Sequence, residues 1–433
     1  MVFSRIFGKG QAPPPQTDEP EQPDDADAEG VADDDAPDHA TRASRVLVGG
    51  ASTGSKRVDR IYGPGDGHGP THFLRAAGCH LVTAEGETLV DCTMALGSVA
   101  LGYAEPELSR VVIETIANGT VTGLPPVLEV EVAERFCGMV PCAERVLFTK
   151  SGAEAMSAAV RIARTYTGRD VVVGAGYFGW HDWSSTSAGV PASTRELYRA
   201  VPFDDIPALE AAVSAAGNRL AAVVLEPVVE RLPSAEWIQR ARALCDANGA
   251  VLIFDELKTG FRLAAGGYQQ YAEITPDLAG FGKALANGYP LAAVCGRADL
   301  MEVASEKTWI SSTLAAETGA LAAAGAVLAW HERVDICASL WSIGKSMREA
   351  VSDALDASGI SGVTVEGIDP MWFLSFDDPA REHRFLVSAV RNGVLFKRGA
   401  YNFAAMAHDE EAIRDIESGA SAAFVELREA EER

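Results

Sequence analysis

The sequence is poor in positive charge. Its 433 residues include 37 lysines and arginines against 61 aspartates and glutamates, which gives a formal net charge of −24. Proteins that bind nucleic acids electrostatically present clusters of lysine and arginine to the phosphates, and this chain shows no such cluster. The composition therefore argues against a nucleic-acid-binding protein.

Long apolar runs and paired cysteines are also missing. No run of about 18 apolar residues is present for a membrane span, and the opening MVFSRIFGKG is too short and polar for a signal peptide. The seven cysteines are odd in number and none is in CxxC spacing, which argues against a disulfide framework or a zinc site. We therefore expect a soluble cytoplasmic protein with no membrane partner and no metal.

What the chain does contain is enough apolar sequence for a large core, since 47% of its residues are hydrophobic. Residues 1–43 are the exception, because they combine proline with carboxylates and cannot bury enough surface to offset chain entropy. We predict a disordered tail there. The rest divides into residues 44–115 as the first part of a small domain, 116–330 as a large domain, and 331–433 as the remainder of the small α+β domain.

The large domain alternates short apolar runs with amphipathic stretches. This pattern predicts strands alternating with helices, and hence an α/β fold whose mostly parallel sheet is covered on both faces. The residues Glu85-Gly86-Glu87 predict a hairpin in the N-terminal segment. The alanine-rich residues 314–330 predict a buried core helix. The predicted strands of the sheet are VLFT, VVVG, AAVVLEP, VLIFDE and LAGFG.

Two charged residues stand in apolar surroundings beside these strands. Asp255 closes VLIFDE, and Lys283 follows LAGFG inside DLAGFGKALANGYPLAAV. A parallel crossover would bring both to the carboxyl edge of the sheet, where such sheets bind ligands. A lysine in apolar surroundings is readily kept neutral and can form a Schiff base with an aldehyde. Pyridoxal phosphate fits both residues, because its aldehyde takes a lysine and its pyridinium nitrogen takes an aspartate. Considered without Lys283, Asp255 and Glu256 are as typical of loop carboxylates that cap a helix as of a cofactor site.

Three other stretches are compatible with that cofactor, and each also has an ordinary structural explanation. FTKSGAEAM places Ser151 at a helix start that can hold a phosphate, although such turns are common. GAGYFGWHDW matches GxGxxG, but the residues after it begin a helix poorly, so Tyr177 as a ring-stacking face is the better interpretation. ISSTLAAET places Ser312 and Thr313 before a helix, where hydroxyls usually act only as caps.

Taken together, these stretches resemble the class III aminotransferases, which are fold-type I pyridoxal phosphate enzymes, and especially their glutamate-1-semialdehyde aminomutase-like branch. The similarity runs from about residue 44 to the end. It rests on the ordered set SGAEA, YFGWHDW, LEPV, IFDELKTGFR, GKALANGYPLAAV and SSTLAAET. The resemblance implies pyridoxal 5′-phosphate as the cofactor and a small domain built from both ends of the chain.

The resemblance also implies a role for each matching residue. Lys283 would form the Schiff base and move the proton, and Asp255 would contact the pyridinium nitrogen. The phosphate would be bound by Ser151, Gly152 and Ala153, with Ser312 and Thr313 reaching it as well. Tyr177 would stack on the ring and Glu226 would lie near the cofactor. In this family Thr313 serves the neighbouring subunit, so a homodimer with shared active sites is implied.

The substrate is less well indicated than the cofactor. Arg57, Arg262 and Arg398, together with Lys56 and Lys397, are each as plausible on the surface as on a substrate carboxylate, and His181 is a further candidate for the pocket. GGASTGSKR and GKALANGYP depart from the aminomutase pattern, whereas ETGA is closer to members that aminate sugars or natural-product carbonyls. We therefore predict an aminotransferase that moves an amino group from a donor to a carbonyl acceptor. The alternatives are a glutamate-1-semialdehyde 2,1-aminomutase, a racemase or epimerase, and a non-catalytic protein on the same fold.

Overall fold

The computed structural model describes residues 38–65 and 67–432 of the chain. The predicted disordered tail, residues 1–43, lies mostly outside the described residues. Helix α1 (His39–Val46) nevertheless begins before residue 43, because the Asp38 carboxylate accepts a hydrogen bond from the Thr41 N–H at 2.6 Å and caps it. Within the described ranges, no helix is both long and apolar enough to cross a membrane.

The remaining helices follow in chain order. They are α2 (Val58–Ile61), α3 (Met94–Gly97), α4 (Pro106–Ile116), α5 (Val127–Met139), α6 (Gly152–Thr167), α7 (Ala192–Arg195), α8 (Ile206–Ala216), α9 (Ala235–Asn248), α10 (Tyr268–Tyr271), α11 (Ala298–Glu306), α12 (Thr318–Arg333), α13 (Ile336–Ser358), α14 (Pro379–Arg391) and α15 (Glu410–Glu431). Short 3-10 turns cover Val48–Gly50, Gly54–Lys56, Gly217–Arg219 and Lys283–Ala286.

The N-terminal segment folds as an antiparallel meander. Strands β1 (Phe73–Ala77), β2 (His80–Thr83) and β3 (Thr88–Asp91) pair in sequence. The turn between β2 and β3 is closed by the Gly86 N–H, which donates to the Thr83 carbonyl at 3.0 Å. The predicted hairpin is confirmed.

A seven-stranded sheet forms the centre of the molecule, in the order β4-β10-β9-β8-β7-β5-β6. Its strands are β4 (Arg145–Thr149), β5 (Val171–Ala175), β6 (Tyr198–Ala200), β7 (Leu220–Leu225), β8 (Val251–Asp255), β9 (Leu278–Phe281) and β10 (Ala292–Gly296). The five strands from β9 to β6 run parallel, whereas β10 runs antiparallel to both β9 and β4. The α/β prediction is confirmed, and β10 is a strand that the sequence pattern did not predict.

Both faces of this sheet are buried. On β8, Leu252 and Phe254 belong to the larger apolar core, while Val251 and Ile253 pack with residues of α6 in a second core on the opposite face. The alternation follows from the pleat, which points successive side chains to opposite sides. The predicted core helix is present as α12, which is buried along most of its length and packs against α4, α5 and the 3-10 turn that begins at Lys283.

The N-terminal meander pairs with a strand from the C-terminal part of the chain. Strand β13 (Val394–Leu395) pairs in parallel with β3, so that the N-terminal meander becomes a four-stranded sheet. Strands β11 (Val363–Ile368), β12 (Met371–Phe376) and β14 (Asn402–Phe403) form a separate antiparallel sheet. Helix α12 continues past residue 330, the predicted end of the large domain.

Candidate active site

Asp255 and Lys283 lie at the carboxyl edge of the central sheet. Asp255 is the last residue of β8 and pairs with Gly280 of the adjacent parallel strand β9. Lys283 follows β9 immediately after Gly282, so both side chains lie at the ends of neighbouring strands. This is the edge where open α/β sheets bind their ligands.

The Asp255 carboxylate is only half satisfied. Its Oδ1 accepts a hydrogen bond from the Leu257 N–H at 3.0 Å, while its Oδ2 is buried and has no partner among the described residues. Burial, together with the negative charge of Glu226, raises the pKa of Asp255 to about 8. A buried acceptor without a partner is costly, so this oxygen is placed for a donor that the chain itself does not supply.

Lys283 is held as a weakly basic amine. Burial and the nearby Lys258 ammonium lower the pKa of Lys283 to about 8, against the opposing effect of Asp255. The residue has a left-handed backbone conformation with φ 49° at the start of its 3-10 turn. That conformation is unusual outside glycine and is often found where a side chain has a functional position. A substantial neutral fraction near neutral pH suits a nucleophilic amine.

Glu226 links Lys258 to the turn that carries Tyr177. One carboxylate oxygen accepts the Tyr177 N–H at 3.0 Å, and the other pairs with Lys258 Nζ at 2.6 Å. Lys258 also lies over the ring of Tyr401, 4.2 Å from its centroid. Burial alone would lower the pKa of Lys258, but Glu226 and Tyr401 raise it, and the net shift is upward.

Sequence reasoning missed Lys258 and Tyr401. Lys258 lies inside the quoted motif IFDELKTGFR, where a lysine next to two strand-end carboxylates was a signal of an ion pair. Tyr401 had no such signal, because only the fold brings it near residue 258.

Ser151 lies at the start of α6, as predicted, and forms a reciprocal cap with Glu154. The Ser151 hydroxyl accepts the Glu154 N–H, and the Glu154 carboxylate accepts the Ser151 N–H. A helix start leaves its first N–H groups without intrahelical acceptors, and the cap uses only that of Glu154. The N–H groups of Gly152 and Ala153 therefore suit an anion.

The Leu257 side chain lies beside Gly152 at this helix start and beside Gly282, which precedes Lys283. A Cβ at Gly152 would collide with the Leu257 side chain, and one at Gly282 would lie 2.7 Å from it. A side chain at either position would therefore displace the Leu257 side chain. Leu257 is a third site residue that was not singled out from the sequence, although it directly follows Asp255 and Glu256.

The GAGYFGWHDW stretch follows β5 as a turn rather than as a helix. No helix begins in this stretch, so the dinucleotide interpretation is wrong, as the sequence argument expected. Tyr177 is 73% exposed, whereas Phe178 is buried against Trp183 with ring centroids 5.5 Å apart. His181 is bonded through Nδ1 to the Ser157 hydroxyl of α6 at 2.7 Å.

Ser312 and Thr313 are exposed in the segment before α12. That segment ends at Glu317, whose carboxylate caps α12 and pairs with Lys150 Nζ at 2.9 Å. Lys150 precedes Ser151, so this ion pair ties the start of α12 to the start of α6.

The cationic substrate candidates are held elsewhere. Arg57 and Arg398 line a cavity of about 1140 Å³ between the N-terminal segment and the residues after β13, and neither Lys283 nor Asp255 lines that cavity. Arg398 pairs with Glu382 at 3.1 Å, and Lys397 Nζ donates to the Arg398 carbonyl. The structure therefore does not bring these cations together with the Asp255 and Lys283 pair.

Arg262 is not a substrate residue. It is completely buried, and its guanidinium donates to the carbonyls of Ala404 at 2.7 Å and Gly97 at 3.1 Å. It also lies against the ring of Phe403, 4.9 Å from the centroid. Burial lowers the pKa of Arg262 to about 10, so it remains charged at neutral pH.

The chain is similar to known enzymes in sequence and in fold. The family model for class-III aminotransferases matches residues 61–175 and 182–407. Glutamate-1-semialdehyde 2,1-aminomutase of Methanothrix thermoacetophila is 32% identical over 407 residues, which span 86% of this chain and 92% of that protein. The same enzyme of Methanothermobacter thermautotrophicus is 39% identical over 280 residues, which span 60% of this chain and 64% of that protein.

A solved structure agrees with the described fold. The PLP internal aldimine form of the FumI protein of Sphingopyxis sp. MTA144 has a TM-score of 0.85 and 26% sequence identity, and the match covers 91% of this chain and 96% of that one.

Proposed function

The chain belongs to the class III aminotransferase family of pyridoxal 5′-phosphate enzymes, and we propose that it transfers an amino group from an amino donor to a carbonyl acceptor through Lys283. The observation that carries this proposal is the placement of the weakly basic Lys283 amine and the half-satisfied Asp255 carboxylate on adjacent strand ends.

The donor set of the site fits the cofactor. The unpartnered Oδ2 of Asp255 is an acceptor for a protonated ring nitrogen. The N–H groups of Gly152 and Ala153 at the start of α6 suit the phosphate, and the exposed Tyr177 and the partly buried Leu257 offer surfaces to a flat ring. Each group of the cofactor therefore has a counterpart among these residues.

When bound, pyridoxal phosphate supplies an aldehyde that joins to an amine and a ring that withdraws electrons from the adjacent carbon. Once the amino donor has replaced it on the cofactor, the Lys283 amine would take the proton from the donor's α-carbon as a general base and would later return it as a general acid. Its pKa of about 8 matches both tasks near neutral pH. Asp255 would hold the ring nitrogen protonated, and Leu257 would exclude water from the ring face beside it.

The substrates are small molecules, and the amino acceptor is proposed to be a sugar or natural-product carbonyl. The motif ETGA supports this choice, and it lies at the start of α12, where Glu317 pairs with Lys150 beside the proposed phosphate site. Arg57, His181 and Arg398 are proposed as substrate contacts.

A second candidate function is the 2,1-aminomutase activity that gives two curated relatives their name. An aminomutase returns the nitrogen to the same molecule, whereas an aminotransferase releases a keto product. The holoenzyme should therefore be incubated with single amino donors and no acceptor. A stoichiometric keto product supports the aminotransferase, and isomerisation of glutamate-1-semialdehyde without keto product replaces it with the aminomutase.

The role of Lys283 is tested by the visible spectrum of the protein with pyridoxal phosphate. Wild type is expected to show the absorbance band of lysine-bound cofactor, and Lys283→Ala is expected to lose it. Lys345→Ala is the matched control, because Lys345 is an exposed helical lysine whose ion pair is with a neighbour on α13. A band that persists unchanged in Lys283→Ala would reject the proposal.

We also propose a homodimer, with Thr313 contributing to the phosphate site of the other subunit. The exposed apolar residues Ile113, Leu124, Val127 and Val130 lie on and between α4 and α5, and Leu314 next to Thr313 is 54% exposed. A concentration of exposed large apolar residues is typical of a protein interface. A second copy of the chain is the proposed occupant. Light scattering of the purified protein tests the assembly, and a monomer that binds the cofactor with full affinity would refute it.

A further inference from the structure

Lys258 is the least expected charge at the proposed site. Its side chain is 12% exposed and that of Glu226 is 10% exposed, so their 2.6 Å ion pair is shielded from water. Buried charges are retained only when they are well paired, and the second Glu226 oxygen is already engaged by the Tyr177 N–H. Lys258, Glu226 and the Tyr177 turn thus form one connected chain of contacts.

We propose that Lys258 is a positioning residue of the transamination: its ion pair with Glu226 fixes the turn that carries Tyr177 and balances the Glu226 charge at the Asp255 and Lys283 site. This inference rests on the proposed function, because it assumes that the Lys283 amine is the group that binds the cofactor.

The charged groups around Lys283 work in opposite directions. Lys258 and, more weakly, Arg262 favour the neutral amine, whereas Asp255 and Glu226 favour the ammonium. Lys258 likewise favours the ionised form of Asp255, against burial and against Glu226. Removing Lys258 alone would leave Glu226 unopposed, which would raise the pKa values of Lys283 and Asp255 together. Both changes would impair the proposed reaction.

Tyr401 anchors the cation from another part of the fold. Lys258 Nζ lies over its ring, and the Tyr401 hydroxyl accepts the Glu230 N–H at 2.7 Å. Tyr401 immediately precedes β14 in the C-terminal part of the molecule, so Lys258 also links the edge of the central sheet to that part. An ammonium over an aromatic face is attracted by the ring, and desolvation strengthens the attraction.

The test is a pH titration of the visible absorbance of the holoenzyme for four proteins: wild type, Lys258→Met, Lys258→Arg and Glu226→Gln. Lys258→Met removes the charge and retains the length of the side chain. The pH midpoint of its absorbance change should rise by about one pH unit or more, as expected for loss of a nearby like charge. Lys258→Arg retains the charge and should titrate close to wild type. Glu226→Gln should move the midpoint in the opposite direction, because it leaves Lys258 unopposed.

The double variant Lys258→Met/Glu226→Gln controls for folding and for charge balance. It removes both charges together, so its midpoint should return toward wild type. If Lys258→Met does not fold, the test uses Glu226→Gln and the double variant. A pH midpoint for Glu226→Gln that is equal to or higher than that of wild type overturns the proposal. Equal midpoints for wild type and a folded Lys258→Met overturn it as well.

A second readout separates this inference from the proposed function. Acylation of Lys283 in the cofactor-free protein, followed by peptide mass spectrometry across pH, measures the amine directly. A loss of Lys283 reactivity at neutral pH in Lys258→Met supports the inference, and unchanged reactivity overturns it. If wild type itself shows no visible band with the cofactor, the proposed function fails, whatever the acylation profile shows.

Discussion

Arg262 provides the sharpest prediction about stability. We predict that Arg262→Met weakens folding strongly and leaves substrate recognition intact. The substitution removes hydrogen bonds to the buried carbonyls of Ala404 and Gly97 and the contact with the Phe403 ring, while the methionine retains most of the apolar stem. Each of the two buried carbonyls left without a donor costs about 1–3 kcal/mol, so the expected loss is roughly 2–6 kcal/mol.

The assay is urea denaturation followed by fluorescence, together with steady-state kinetics. Arg414→Met is the matched control, because Arg414 is an exposed helical arginine paired with Glu410 of the preceding turn, and exposed pairs of this kind contribute about 0.3–0.5 kcal/mol. The reasoning is refuted if Arg262→Met loses less than about 1 kcal/mol relative to this control, or if KM rises while stability is unchanged.

Three further predictions concern the site. The rate of Lys283 acylation in the cofactor-free protein should increase about tenfold per pH unit up to pH about 8 and then level off. Exposed Lys345 is the reference for reagent access. A rate that continues to increase up to pH 10 would contradict the lowered pKa of Lys283. Asp255→Asn should retain the visible band and reduce the rate of donor conversion by about 100-fold or more, because an amide cannot hold the ring nitrogen protonated; an unchanged rate would remove Asp255 from the mechanism. Gly152→Val should weaken cofactor binding at least about tenfold by displacing Leu257, which corresponds to about 1.4 kcal/mol of binding free energy. Gly138→Val on α5 is the control, because no neighbouring atom lies within 4 Å of that position, and it should leave the dissociation constant of the cofactor unchanged.

The sequence predicted those features that depend on local pattern. Apolar runs of strand length and amphipathic stretches identified β4, β5, β7, β8 and β9 and the helices between them. The crossover rule then placed Asp255 and Lys283 at one edge. Strand β10 was missed because its run, AAVCG, is short, and a short apolar run does not by itself distinguish a strand from a buried helical segment.

Contacts between distant parts of the chain could not be predicted. The sequence shows that Arg262 is charged, but the carbonyls that bind it come from residues 97 and 404. Lys258 was visible as a residue, yet its partner ring at Tyr401 is supplied by the C-terminal part of the fold. For the same reason Arg57 and Arg398 could be named as cations, although the cavity they share was not foreseen.

The pairing of β3 with β13 has a consequence for how the protein folds during synthesis. Val90 of β3 pairs with Val394, so the N-terminal meander emerges from the ribosome long before the strand that completes its sheet. Contacts between such distant residues form late because of the loop entropy they must overcome. The central sheet, whose strands lie between them in sequence, is therefore expected to form first, with β3 an open edge until the C-terminus arrives. Pulse-labelling hydrogen exchange tests this order, and protection of β3 before that of β7 and β8 would contradict it.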